Sequence, residues 1–242
     1  MKQIAVVLMF FFAVFNRPAL AEQTIVLGSS YSAPVTSEQK DGLLDLVYQE
    51  LSRRLGIKIE IQNLAAAERV LLNANSGVDD GDVGRILGLE KKYPNLISVP
   101  VPVMKYQMVV FARNLDFEVS GVESIKPYNV GIVRGWKILE AASAGAHSVT
   151  VLDSGDQLFS MLDKGRIDIA LLEKLQGLEI IKKLGIHGIK VLKLPLLEGN
   201  WYLYVNKKHE ALVPRLTSAL RKMEEDGTIE RISNTVLNRY GR

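Results

Sequence analysis

Arg85 closes the segment Asp82-Val83-Gly84-Arg85, and Glu173 follows the apolar run Ile167–Leu172. An arginine at a strand end can hold a carboxylate through two parallel hydrogen bonds. A glutamate at such an end can take an amine, or give and accept a proton. Between them lies Arg134-Gly135-Trp136-Lys137, on a strand-to-helix turn. There the glycine admits close backbone approach, and a helix start offers N–H groups to an anion. Tyr31 and Trp136 supply flat walls for stacking. Arg69, beside Glu68, adds a further cation. This is the chemistry of gripping a small charged solute. Plainer roles fit the same residues: Arg85 pairing on the surface with Asp79, Asp80 or Asp82, Arg69 solvated on its helix, Tyr31 and Trp136 as packing, and Glu173 as a helix cap. Asp79-Asp80-Gly81-Asp82 lacks the spacing of a calcium loop and reads as a turn.

Catalytic and cofactor signatures are missing from the sequence. His147, His187 and His209 lie far apart without zinc-ligand spacing. No G-x-S-x-G elbow or G-x-x-x-x-G-K-[ST] loop occurs. Ser37-Glu38-Gln39-Lys40 matches S-x-x-K without the companion motifs of that chemistry. The chain has no cysteine, which excludes disulfides, a thiolate nucleophile and a lipidated N-terminal cysteine. No cofactor or metal is expected.

The elements that must position these residues alternate between strands and helices. Thr24–Gly28 reads as a strand, 42–55 as an amphipathic helix stopped by Gly56, 57–61 as a strand, 65–74 as a helix, 82–87 as a strand and 106–112 as a strong β run. The alternation then restarts: strands at 128–133, 148–152, 167–172 and 189–192, with helices at 138–144, 157–164 and 175–183 between them. A strand at 201–205 and helices at 210–225 and 228–237 close the chain.

Ahead of these, Lys2, the apolar run Ile4–Phe15 and Ala19-Leu20-Ala21 have the order of a secretory signal peptide, and the run is shorter than the roughly 20 residues of a bilayer span. Residues 1–21 are therefore expected to be removed. Losing Lys2 and Arg17 lowers the formal charge from +3 to +1. Such a balance gives no footprint for nucleic acid. About 220 residues remain, enough for two modest lobes.

Four segments resemble the bacterial extracellular solute-binding proteins of family 3. The stretch 42–47 (GLLDLV) is similar to the family's G-F-D-V-D-L, and 130–135 (VGIVRG) to its V-G-V-x-x-G-T turn. Residues 158–173 (LFSMLDKGRIDIALLE) resemble L-x-x-G-R-V-D-A-x-x-x-D, and 216–229 (LTSALRKMEEDGTI) the closing N-x-A-L-x-x-L-x-x-D-G-T. The segments keep the family's order over nearly the whole mature chain. The sequence also departs from the pattern. Trp136 replaces a small hydroxyl residue, Glu173 replaces an aspartate, and the S-x-T-x-x-R segment is missing, with Arg85 offered instead. Tyr31-Ser32-Ala33-Pro34-Val35 stands where the family carries aromatic-proline-proline-phenylalanine.

The resemblance implies an α/β, two-lobed, periplasmic-binding-protein-like (type II) clamp with two hinge crossovers, near 104–107 and 196–201. One lobe would comprise 22–106 and 201–242, the other 107–200. It implies a periplasmic, monomeric binding protein that captures a small solute, a carboxylate or zwitterion, for an inner-membrane ABC permease. Its ligand residues would be Tyr31, Arg69, Arg85, Arg134, Gly135, Trp136 and Glu173. The runners-up are a cyclohexadienyl-dehydratase-like enzyme on the same clamp, with Arg85 holding substrate and Glu173 as acid or base, and a component that presents ligand to a sensor.

Overall fold

The computed structural model describes residues 24–64 and 66–239. The expected signal peptide lies outside them. Strand β1 (Thr24–Ser29) leads through a loop to α1 (Leu43–Leu55), β2 (Lys58–Asn63), α2 (Ala67–Ser76) and β3 (Gly81–Arg85). The long β4 (Leu96–Ala112) follows. The second round is β5 (Asn129–Val133), α3 (Lys137–Ser143), β6 (Ser148–Leu152), α4 (Gly155–Asp163), β7 (Ile169–Glu173), α5 (Lys174–Leu184) and the short β8 (Lys190–Val191). Strand β9 (Leu197–Asn206) and helices α6 (Val213–Glu225) and α7 (Thr228–Leu237) complete the chain.

All the strands share one sheet, ordered β2-β1-β3-β9-β4-β7-β5-β6, with β8 beside β4. On one side β1 lies parallel to β2 and β3; on the other β5 lies parallel to β6 and β7. Strands β4 and β9 join the two sides. They pair antiparallel from Leu96 beside Asn206 to Met108 beside Leu197. From Met108 onward β4 also pairs with β7, while β9 pairs with β3 through Tyr202, Tyr204 and Val205. Each half is thus an α/β unit of parallel strands, and two antiparallel strands cross between them: a two-lobed clamp.

Helix α1 buries the stripe Leu43, Leu44, Val47, Tyr48 and Leu51. Asp45 in its first turn accepts the N–H groups of Gly42 (3.1 Å) and Ser37 (2.7 Å), which folds the preceding loop onto the helix start. In the second half Val109 and Phe111 of β4 pack with Leu158, Phe159 and Leu162 of α4. The Phe111 and Phe159 rings meet edge to face at 4.9 Å. No helix among the described residues is long and apolar enough to cross a membrane.

Three elements differ from the sequence expectation. The β run expected at 106–112 is the second half of a 17-residue strand. Its first half holds Pro100 and Pro102, residues that read as loop, and they sit where the pairing with β9 shifts register. The helix expected from 210 begins at Val213, because 3-10 turns over Lys207–Leu212 precede it and His209 is non-helical (φ −109°, ψ 16°). The strand expected at 82–87 is Gly81–Arg85, which draws Asp82 into the sheet.

Gly81 marks the closest approach of β3 to β9. A Cβ there would collide with the Tyr204 carbonyl oxygen, a backbone atom held by the ladder. Gly81→Ala is therefore expected to cost on the order of 3 kcal/mol, the upper range for overpacking. Urea denaturation checks it, and a loss below 0.5 kcal/mol, the scale of an ordinary surface change, would contradict this account of the joint.

Candidate functional site

Two strand ends in the first half present Tyr31 and Arg85. Continuing the parallel register of β1 with β3, where Gly28 lies beside Asp82, brings these two level. The Arg85 guanidinium sits over the Tyr31 ring, 5.5 Å from its centroid. Its Nε donates to Asp82 Oδ2 at 2.7 Å and its terminal nitrogen to Ser30 Oγ at 3.1 Å. Asp82 is fully buried and the Arg85 side chain 14 % exposed. The second Asp82 oxygen takes the Gly84 N–H at 2.9 Å. Burial pushes the Asp82 carboxyl up, against the pull of Arg85 and Gly84. Asp79 and Asp80 lie in the bend before β3 and Asp82 inside the strand, where it engages Arg85 in a buried pair.

Tyr31 continues into a run of stacked rings. Its hydroxyl donates to the Gly84 carbonyl at 2.7 Å. Trp201 of β9 stacks on it at 4.4 Å, and Tyr106 of β4 on Trp201 at 5.6 Å. The stack fits because position 199, beside Tyr106, is glycine; a Cβ there would lie 2.6 Å from the Tyr106 hydroxyl. Guanidinium, phenol, indole and phenol therefore run from the end of β3 down to both crossing strands.

Glu173 ends β7 on the facing half, opposite Met108 of β4. It is 2 % exposed. Its Oε2 accepts the Gln176 N–H at 3.0 Å, so it caps α5. Burial lifts its pKa to about 7, although the N–H groups of Gln176, Leu175 and Lys174 and the Lys174 charge pull the other way. Tyr31 is close enough to feel it. Burial pushes the Tyr31 phenol up; Arg85 opposes, while Asp82 and Glu173 add to the rise. Glu173 also borders a cavity of about 780 Å³ over the crossing strands, walled by Tyr106, Lys105, Asn200 and the α7 residues Ile229 and Glu230.

The structure thus sets Arg85 on the Tyr31 ring and places Glu173 near enough for its charge to act on the Tyr31 phenol. Arg134, Gly135 and Trp136 follow β5, whose register with β7 sets Arg134 level with Glu173. Their polar groups are engaged locally: Arg134 Nε with Asp153 at 2.9 Å and the Gly135 N–H with Glu140 at 3.0 Å. Trp136 is half-buried at the start of α3 and packs on the cores at both faces of the sheet. Arg69 is exposed on α2 and has no partner among the described residues. Sequence reasoning offered Asp82 as one of three acids for Arg85, but on the surface and not buried, and it missed the ring run through Trp201 and Tyr106. Strict strand alternation sends residues three apart to opposite faces. Here the β3–β9 register shifts between Asp82 and Arg85, and their side chains meet.

Fold and site define a two-lobed solute-binding clamp of the periplasmic-binding-protein type. No family model matches the chain. It is 30% identical over 187 residues to the L-cystine-binding protein TcyA of Bacillus subtilis, covering 77% of this chain and 69% of that protein. The L-cystine solute receptor of Neisseria gonorrhoeae, in its unliganded open conformation, shares the fold with a TM-score of 0.67 at 20% identity, over 92% of this chain and 94% of the receptor. A histidine kinase sensor domain with similarity to periplasmic binding proteins shares it with a TM-score of 0.71 at 18% identity, over 89% and 96%. The chain belongs to the extracellular solute-binding proteins of family 3.

Two outcomes follow from the site. Removing the guanidinium strands a buried carboxylate, so Arg85→Ala is expected to cost about 3 kcal/mol or more. Adding Asp82→Asn should recover part of that loss; additive losses in urea denaturation would show the two are uncoupled. The second concerns pH. The native Glu173 holds its proton up to about 7, whereas its ordinary pKa is 4.5. Its contribution to stability is full below pH 4.5 and is lost as pH rises through 7. Glu173→Gln does not titrate, so its stability relative to wild type should improve by about 3 kcal/mol across that window. Denaturation at both ends checks it, and a constant difference would refute the shifted pKa.

Proposed function

We propose that this protein captures a small polar solute, of the size and polarity of an amino acid, in the cleft between its lobes. The observation that carries the reading is Arg85 on the Tyr31 ring at the strand ends of one half, with the buried Glu173 at a strand end of the other near enough to act on the Tyr31 phenol. Ligands of open α/β sheets sit at the carboxyl ends of strands, and these residues lie there. Solute touching both halves would favour the closed form over the open one. The lobes are 22–106 with 201–242, and 107–200, turning where β4 and β9 cross.

The protein works in the periplasm after loss of residues 1–21 and hands its solute to an inner-membrane ABC permease. Family membership, and relatives named for binding L-cystine, support this reading. A sensor role would use the same clamp. An enzymatic reading has one observation on its side, the buried Glu173 with a pKa near neutrality, which suits an acid or base. Recovery of the solute unchanged after prolonged incubation separates binding from turnover.

A thermal-shift screen against amino acids, small organic acids and amines tests the proposal. A solute at 100 times its Kd should add about 2.7 kcal/mol of stability. With that solute bound, small-angle scattering should show a smaller radius of gyration. The chain's two tryptophans, Trp136 and Trp201, should change fluorescence together. An unchanged scattering profile at saturation would overturn closure, and a screen without any stabilising solute would overturn capture.

A further inference from the structure

The arginines at both strand ends are already matched by acids of this chain, whereas Lys105 and Lys174 in the cavity wall form no ion pair among the described residues. Arg85 is held by the buried Asp82, and Arg134 by Asp153. The first N–H after β5 that could meet an anion, that of Gly135, is taken by Glu140. Arg69 stands exposed on α2, outside the walls of the cavity at Glu173. Glu173 is in the opposite position. Its carboxylate is buried, and it forms no ion pair with any described residue. Only backbone N–H groups at the start of α5 bond to it, and the neighbouring Lys174 reaches Gln107. A buried carboxylate without a counter-ion is costly, and a mobile cation relieves that cost.

The cavity beside it has the same sign. Its charged walls are Glu173, Glu198, Glu224 and Glu230 against Lys105 and Lys174, so acids outnumber bases. Tyr106, the last ring of the stack, also lines it. At about 780 Å³ the space suits a small organic molecule.

We infer that the solute of this clamp is an organic amine without a carboxylate, a cation seated against Glu173, with Arg85 serving the fold through Asp82. The inference rests on the solute-binding reading above and narrows its substrate class.

Three probes that differ only in their end groups test it by titration calorimetry on the mature chain: cadaverine, L-lysine, which adds a carboxylate, and glutarate, which has two carboxylates and no amine. Cadaverine is expected to bind, with L-lysine on the order of tenfold weaker and glutarate silent. Glu173→Gln, close in shape and expected to fold, should weaken cadaverine by about tenfold or more while keeping a cooperative melt. L-lysine binding as tightly as cadaverine, any binding of glutarate, or cadaverine binding equally to wild type and variant would each overturn the inference. So would silence from all three probes. If the thermal-shift screen yields a solute in any of those cases, the capture reading stands alone; if the screen is silent as well, both fall.

Discussion

Between Leu96 and Met108 the strands β4 and β9 hydrogen-bond to each other across the middle of the sheet, and both halves of the protein hang from that ladder. It fixes the partners of each half. Strand β3 takes its register from β9, and β7 takes its register from β4. Because β7 runs antiparallel to β4, its carboxyl end returns toward the first half and brings Glu173 back to Met108. Because β3 runs beside β9, its end delivers Arg85 next to Tyr202, one residue from Trp201. A change in how β4 lies on β9 would therefore move acid and guanidinium relative to each other, with no loop between them to absorb it.

The electrostatics follow from that placement. Taking a carboxylate and a guanidinium out of water costs several kcal/mol for each ion, and their mutual attraction is largely consumed in offsetting it. The Asp82–Arg85 pair is thus already at work holding the end of β3 together. Its Nε and one terminal nitrogen are occupied, by Asp82 and Ser30. Glu173 has the same burial without an ion pair, and burial outweighs the Lys174 charge and the helix N–H groups to carry its pKa to about 7. Burial raises both carboxyls, and a guanidinium stands beside only one of them.

Most of the architecture could be read from the sequence, because it rests on local signals. The stripe on α1, the strand Ile169–Glu173 and the Asp226-Gly227 break between α6 and α7 each carry their own periodicity or stop. Tyr31 and Glu173 could be singled out because each follows an apolar run, where a strand's carboxyl end falls, and Arg85 because it ends a short expected strand behind a cluster of acids. The first half of β4 was hidden by Pro100 and Pro102, which a strand tolerates only at irregular pairing. That Asp82, of the three acids offered, meets Arg85 inside the sheet was hidden by a register shift that alternation does not anticipate. The ring stack joins residues 31, 106 and 201, and no spacing in the chain announces a contact made across three elements.

Glu173 does two things at one position. As the cap of α5 it satisfies an N–H that the helix leaves unpaired, which favours the charged form. Buried among the crossing strands it loses water, which favours the neutral form, and the second effect is the larger. A cation arriving in the neighbouring cavity would tip the balance toward the carboxylate and strengthen the cap. The start of α5, the end of β7 and its pairing with Met108 would then all tighten on the same event. Occupancy of the cavity would in this way be transmitted to the crossing strand through a single side chain, because the residue proposed to meet the solute also ends the strand that pairs with β4.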